Sequence, residues 1–124
     1  MQSTLSVNNI QPNFNAQVSK NFIKNAHNTM DSQLRNKSLK ANFDKKVKEF
    51  ADFGYDDFFI KYVKENIDGV RYHKLIAVKP GMDDSLGTVL TKKDKFRKVI
   101  EKFTHINKYE FTKKMETNLQ NHSV

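Results

Sequence analysis

The chemistry open to this chain is set by where its charged and histidine side chains fall. Residues 92–114 carry nine basic side chains (Lys92, Lys93, Lys95, Arg97, Lys98, Lys102, Lys108, Lys113 and Lys114) against Asp94, Glu101 and Glu110. This one segment therefore holds most of the formal net charge of +8. A basic face on an amphipathic helix can follow a phosphate backbone, with Lys92, Lys93, Lys95, Arg97, Lys98 and Lys102 as the contacts to RNA or DNA. Charged side chains at helical spacing are equally the ordinary solvated surface of a helix.

Four carboxylates form a second candidate. Asp56 and Asp57 precede one apolar run, and Asp83 and Asp84 follow the next one closely. If the two runs pair as a hairpin, the four meet at its open end. Clustered Asp oxygens suit Mg²⁺ or Ca²⁺, and a metal-dependent nuclease needs such a cluster. Loop solubility and pairing of Asp57 with Lys79 account for the same residues without an ion.

The histidines are scattered at 27, 73, 105 and 122. His27 and Asp31 are spaced to meet on one helix face, which is too few ligands for a metal. His73 is expected on the solvent side of the hairpin, near Arg71, Lys61, Glu65 and Lys79, where acid–base work on a phosphodiester is conceivable. An exposed strand histidine with no task is the plainer reading. The chain has no Gly-rich phosphate loop, nucleophile elbow or HExxH motif, and no cofactor is expected.

The rest of the composition narrows the class. At 124 residues the chain is the size of one domain, and its ten Phe and four Tyr compensate for a modest apolar share. The absence of Cys removes disulfides and thiolate metal sites. No apolar run reaches membrane-spanning length and residues 1–18 lack a secretory h-region, so a cytoplasmic protein is expected. Of the 22 basic residues, 19 are Lys and three are Arg. Arg supplies the bidentate fork that reads guanine edges, so sequence-specific base reading is not expected, whereas diffuse phosphate attraction is.

Hydrophobic periodicity places these groups on elements. Residues 1–12 and 120–124 read as tails around a single domain over 13–119. Phe14 to Val18 alternates as a short strand. Phe22, Ile23, Ala26, Met30 and Leu34 form one helical stripe, with Ser19 or Asn21 as cap. Leu39, Phe43, Val47, Phe50 and Phe53 form another, capped by Ser38 and ended by Gly54. Residues 57–79 read as a hairpin closed at Asn66-Ile67-Asp68-Gly69. A three-residue loop with a Gly bulge would set Asn66 opposite Val70, Ile60 opposite Ile76 and Glu65 opposite Arg71, and would give a core face of Phe58, Ile60, Tyr62, Val70, Tyr72, Ile76 and Val78. This register is preferred over a two-residue Asp-Gly turn, which sets Glu65 against Tyr72. A third strand is expected at Thr88–Leu90. A Thr91–Asp94 capping box is expected to open a helix carrying Phe96, Val99, Ile100, Phe103 and Ile106, with a break near Asn107 and a further helix to about Leu119.

The expected architecture is α+β, a small antiparallel sheet of the hairpin plus one or two short strands, packed on one face by three or four helices. From Leu39 to Asn107 the order α-β-β-β-α is similar to that of double-stranded-RNA-binding domains. From Phe14 the order β-α-α-β-β-β-α is similar to that of small ribosome-dependent RNase toxins. Neither similarity carries a motif. The leading functional expectation is a non-catalytic interaction or adaptor module with a protein partner. The alternatives are a sequence-independent RNA- or DNA-binding domain using residues 92–114, and a small ribonuclease-like toxin or metal-dependent nuclease.

Overall fold

The computed structural model describes residues 17–122, with side chains to residue 119. The expected tail over residues 1–12, and Phe14 to Ala16 of the expected first strand, lie outside the described residues, as do positions 123 and 124. The architecture is α+β, with helices α1 (Lys20–Thr29) and α2 (Lys37–Glu49), strands β1 (Phe59–Ile67), β2 (Val70–Val78) and β3 (Thr88–Val89), then helices α3 (Phe96–Thr104) and α4 (Lys108–His122). The three strands form one antiparallel sheet in sequential order. Val18 adds a parallel bridge to Ile60 on the far side of β1.

Local chemistry explains most element boundaries. The Ser19 hydroxyl accepts from the Phe22 N–H and caps α1. This helix widens into a π turn over Met30–Leu34 and ends at Arg35, which is left-handed at φ 47°. The cap of α2 is Asn36, whose side chain accepts from Leu39 N–H at 2.9 Å, and not Ser38 as the sequence suggested. Asn and Ser cap comparably well, so the choice follows from where the chain leaves Arg35. Gly54 is left-handed at φ 91°, as its place after the Phe53 stripe requires. Asn107 separates the last two helices and accepts from Glu110 N–H.

The expected capping box does not form. Helix α3 starts at Phe96 without a side-chain cap. Thr91 instead accepts from Leu75 N–H at 3.0 Å, and Asp94 pairs its backbone with that of His73 through two 2.8 Å hydrogen bonds. The backbone groups of β2 beyond the short third strand need partners, and residues 91–94 supply them.

The helices meet one another through Phe rings. Phe103 of α3 is fully buried, lies parallel to Phe50 at 5.3 Å, and also touches Phe22 and Phe43 at 5.3 and 5.0 Å. One side chain thus joins α1, α2 and α3. Phe111 of α4 extends the cluster by meeting Phe50 edge-on at 5.1 Å. Offset and edge contacts of this kind add to what burial alone supplies.

The hairpin departs from the expected register by one residue. Ile67 pairs with Val70, Glu65 with Tyr72, Lys64 with His73 and Ile60 with Ala77. Asp68 and Gly69 form the whole turn, both left-handed at φ 51° and 80°. That is the geometry of a type I′ turn, whose twist matches the flanking strands. A slip of one residue turns every β2 side chain to the opposite face. Leu75 and Ala77 therefore join Ile60 in the main core, whereas Ile76 and Val78 are buried on the reverse face. Residues 75–78 are apolar on both faces, so matching apolar pairs across the strands could not choose between the registers.

Gly69→Ala should lower stability by about 1 kcal/mol, because a Cβ penalises a left-handed backbone. No neighbour lies within 4 Å of the Cβ position, so the loss would be conformational rather than steric. Urea melts check this, and an unchanged midpoint would contradict a left-handed Gly69.

Candidate nucleic-acid interface

The register places His73 on the helix-facing side of the hairpin, not on the solvent side as expected. In that face the pairs run outward from Ile60–Ala77 through Tyr62–Leu75 and Lys64–His73 to Asn66–Arg71 at the tip. The inner pairs are core. The outer ones project past the helices and form one wall of a cleft of about 680 Å³, within the size range of ligand sites. Helix α1 and the turn after it supply the facing wall through Asn25, Asn28, Thr29 and Gln33. The start of α3 closes the third side with Lys95, Phe96 and Arg97.

The cleft floor is aromatic and its rim is cationic. The His73 ring lies 4.8 Å from Phe96 and 5.4 Å from Tyr62, and Tyr62 lies 5.4 Å from Phe96. All three are partly exposed. The amide Nδ2 of Asn25 donates to the Tyr62 hydroxyl and ties α1 to β1. Lys64 lies over the Tyr62 ring at 5.8 Å. Arg71 Nε donates to Asn66 Oδ1 at 3.4 Å. Lys64, Arg71, Lys95 and Arg97 surround these rings, and the lining contains no carboxylate among the described residues. None of the four cations makes an ion pair with a described residue.

This concentration of positive charge acts on His73. Burial against the aromatic rings pushes its imidazole below the ordinary histidine range, and the nearby Lys64 and Arg71 charges add to that shift. Its Nδ1 is buried without a hydrogen-bond partner. Asp94, whose backbone pairs with that of His73, has its carboxylate otherwise engaged. Lys102 and the Lys95 N–H donate to its carboxylate and hold it below the usual carboxylate range.

The six basic residues expected to form a single helix face are divided by the fold. Lys95 and Arg97 enter the cleft. Lys93 pairs with Glu65 at 3.3 Å, Lys98 with Glu101 at 3.7 Å and Lys102 with Asp94 at 3.0 Å. Lys92 is exposed and lies beside Lys102 and His105 in a separate hollow. The α3 stripe otherwise buries as expected, with Val99, Ile100, Phe103 and Ile106 inside and Phe96 half-buried at the cleft. Tyr62, Lys64, Arg71 and the α1 amides are site residues that sequence patterning did not join to Lys95 and Arg97. The correct hairpin register was the signal that would have done so.

The four candidate metal ligands do not gather. Asp57 faces Lys79 at 3.6 Å, Asp84 faces Lys61 at 3.1 Å, and the Asp83 carboxylate accepts from Ser85 N–H at 3.0 Å, which lowers its pKa. Asp56 is exposed. Among the described residues no three His, Asp or Glu side chains are placed to hold a metal ion. His27 meets Asp44 at 2.6 Å, whereas Asp31 pairs with Lys40. No helix among the described residues is long and apolar enough to cross a membrane. In comparisons with known proteins, the chain matches no family model, no curated protein and no solved structure.

The depressed imidazole has a consequence for stability. In the unfolded chain His73 titrates near the ordinary value of 6.5, and in the folded protein it takes up a proton only at lower pH. The unfolded state then binds more protons between the two values, so stability falls as pH drops through and below about 6.5. Thermal melts from about pH 7.5 to about pH 5 should show a steeper decline for the wild type than for His73→Gln. Parallel curves would remove the buried neutral imidazole from the account.

Proposed function

We propose that the chain binds single-stranded nucleic acid, without sequence preference, in the cleft between α1, the hairpin and the start of α3. The observation that carries this reading is the pairing of an aromatic floor with four cations that have no carboxylate among them. Sequence-tolerant binders of single strands use this combination, with cations following the phosphates and rings stacking on bases. Stacking contributes about 1–3 kcal/mol per base, and each cation adds a salt-sensitive attraction to phosphate. Stacking is tolerant of sequence because every base presents a ring face, and the two Lys of the rim act as point charges toward phosphate. A duplex hides its base faces and would engage the rim alone.

Fluorescence anisotropy with an unstructured RNA across a salt series tests the reading. Lys64→Gln plus Arg97→Gln should weaken binding and flatten the salt slope by about 0.7 for each phosphate no longer neutralised. Both side chains are exposed, so the fold should persist. Lys98→Gln plus Lys102→Gln, outside the cleft, should change affinity much less. Equal losses from the two pairs would return the interface to a general α3 face, and binding indifferent to salt would remove the cleft.

A second reading, a protein-interaction module, draws on a different surface. Tyr109 is 74% exposed and Val89 is 44% exposed, and both line a hollow of about 580 Å³ between β3 and α4. Lys113 and Lys114 border it together with Glu110, and the remaining excess of positive charge favours an acidic segment of a partner protein. Proteins retained by the immobilised chain should be lost with Tyr109→Ser and kept with Lys64→Gln plus Arg97→Gln. The reverse pattern, or no specific retention, would remove this reading.

A further inference from the structure

The same cleft holds the parts for a reaction as well as for binding, and this inference rests on the proposed binding of single-stranded nucleic acid. We infer that the protein cleaves RNA by transesterification, with His73 Nε2 and the Tyr62 hydroxyl as the proton-transfer groups and the rim cations stabilising the phosphorane. Geometry is the first support. Both side chains line the one cleft, with ring centroids 5.4 Å apart, and Lys64 and Arg71 stand beside them. A phosphodiester seated on the rim would meet both groups.

The hydrogen bonding gives the two groups different roles. Nδ1 of His73 is buried without a partner, so Nε2 is the nitrogen left to take a proton from a bound substrate, in the tautomer that carries the ring hydrogen on Nδ1. The imidazole is faced by the Tyr62 and Phe96 rings and by the charges of Lys64 and Arg71, and Lys95 and Arg97 line the same cleft from the start of α3. The Asp94 carboxylate is held by Lys102. With only cations and neutral rings around it, the imidazole is neutral near pH 7, the state a general base requires. The Tyr62 oxygen already accepts from Asn25 Nδ2, which leaves its own proton to donate into the cleft.

The step balances without a co-reactant. His73 Nε2 takes the proton of the ribose 2′-hydroxyl as the 2′-oxygen bonds to phosphorus. The bond from phosphorus to the 5′-oxygen breaks, and that oxygen takes the Tyr62 proton. The products are a 2′,3′-cyclic phosphate and a 5′-hydroxyl, and transfer of the proton from imidazolium to phenolate restores both side chains. The rim cations would act on charge that grows in the phosphorane, where fixed positive groups contribute most. DNA lacks the nucleophile, so it should bind and remain intact.

The test uses one fluorescent RNA, the same sequence as DNA, and EDTA throughout, with anisotropy and product mass read from the same samples. Wild-type protein should bind both and convert only the RNA to fragments ending in cyclic phosphate and 5′-hydroxyl. The rate should rise with pH through the depressed His73 titration and then level. His73→Gln should slow cleavage of fully bound RNA, at saturating protein, by about 100-fold or more, a loss separate from any weaker binding that follows removal of the ring. Tyr62→Phe keeps the ring and should also slow cleavage, which guards against a folding defect in the His73 variant. RNA that is bound but stays intact would overturn cleavage and leave the binding reading standing. Failure to bind either strand would overturn both. Cleavage undiminished in both variants, or of DNA as well, would overturn the assigned chemistry.

Discussion

Asp68 and Gly69, both held in left-handed backbone, make a two-residue turn whose twist continues that of β1 and β2. Because side chains alternate strictly along a strand, this turn decides which half of β2 faces the helices. It sends Leu75 and Ala77 into the core beside Ile60, and it sends His73 and Arg71 to the same side further out. The cleft is therefore the outer continuation of the core face of one hairpin. A slip of one residue would remove His73 and Arg71 from the cleft wall.

The Phe cluster performs the complementary task of holding the other two walls. Phe103 locks α3 against α1 and α2, and the first turn of α3 then presents Phe96 to the rings of Tyr62 and His73. On α1, Phe22 lies in the core while Asn25, one turn on, reaches the Tyr62 hydroxyl. The same helices thus bury one stripe and offer amides along its border. Such borders are suited to binding because rigid elements on both sides fix the exposed groups.

Charge is sorted by the fold as well as by composition. Lys93, Lys98 and Lys102 each find a carboxylate, and those exposed pairs contribute little to stability. Lys64, Arg71, Lys95 and Arg97 meet at a place whose described lining holds no acid, so their fields add. The imidazole among them is held below the ordinary histidine range first by burial, and then by the charges of Lys64 and Arg71. Three of the nine basic residues of this segment are therefore paired with carboxylates, and the cleft takes two other members from that segment and two cations from the hairpin.

By itself the sequence determined the element order, the α+β class and most of the buried stripe residues. Ser19, Gly54 and Asn107 punctuate apolar stripes at helical period, and local chemistry suffices to read such boundaries. It also determined that a hairpin closes near Asp68-Gly69. Tertiary structure decided the register, since residues 75–78 are apolar at every position and gave alternation nothing to choose between. It also decided the fate of Thr91 and Asp94, which satisfy the backbone of β2 instead of capping a helix. The site itself was decided only there. Its cations come from positions 64, 71, 95 and 97, and only the packing of α3 across an extended hairpin brings them around one histidine.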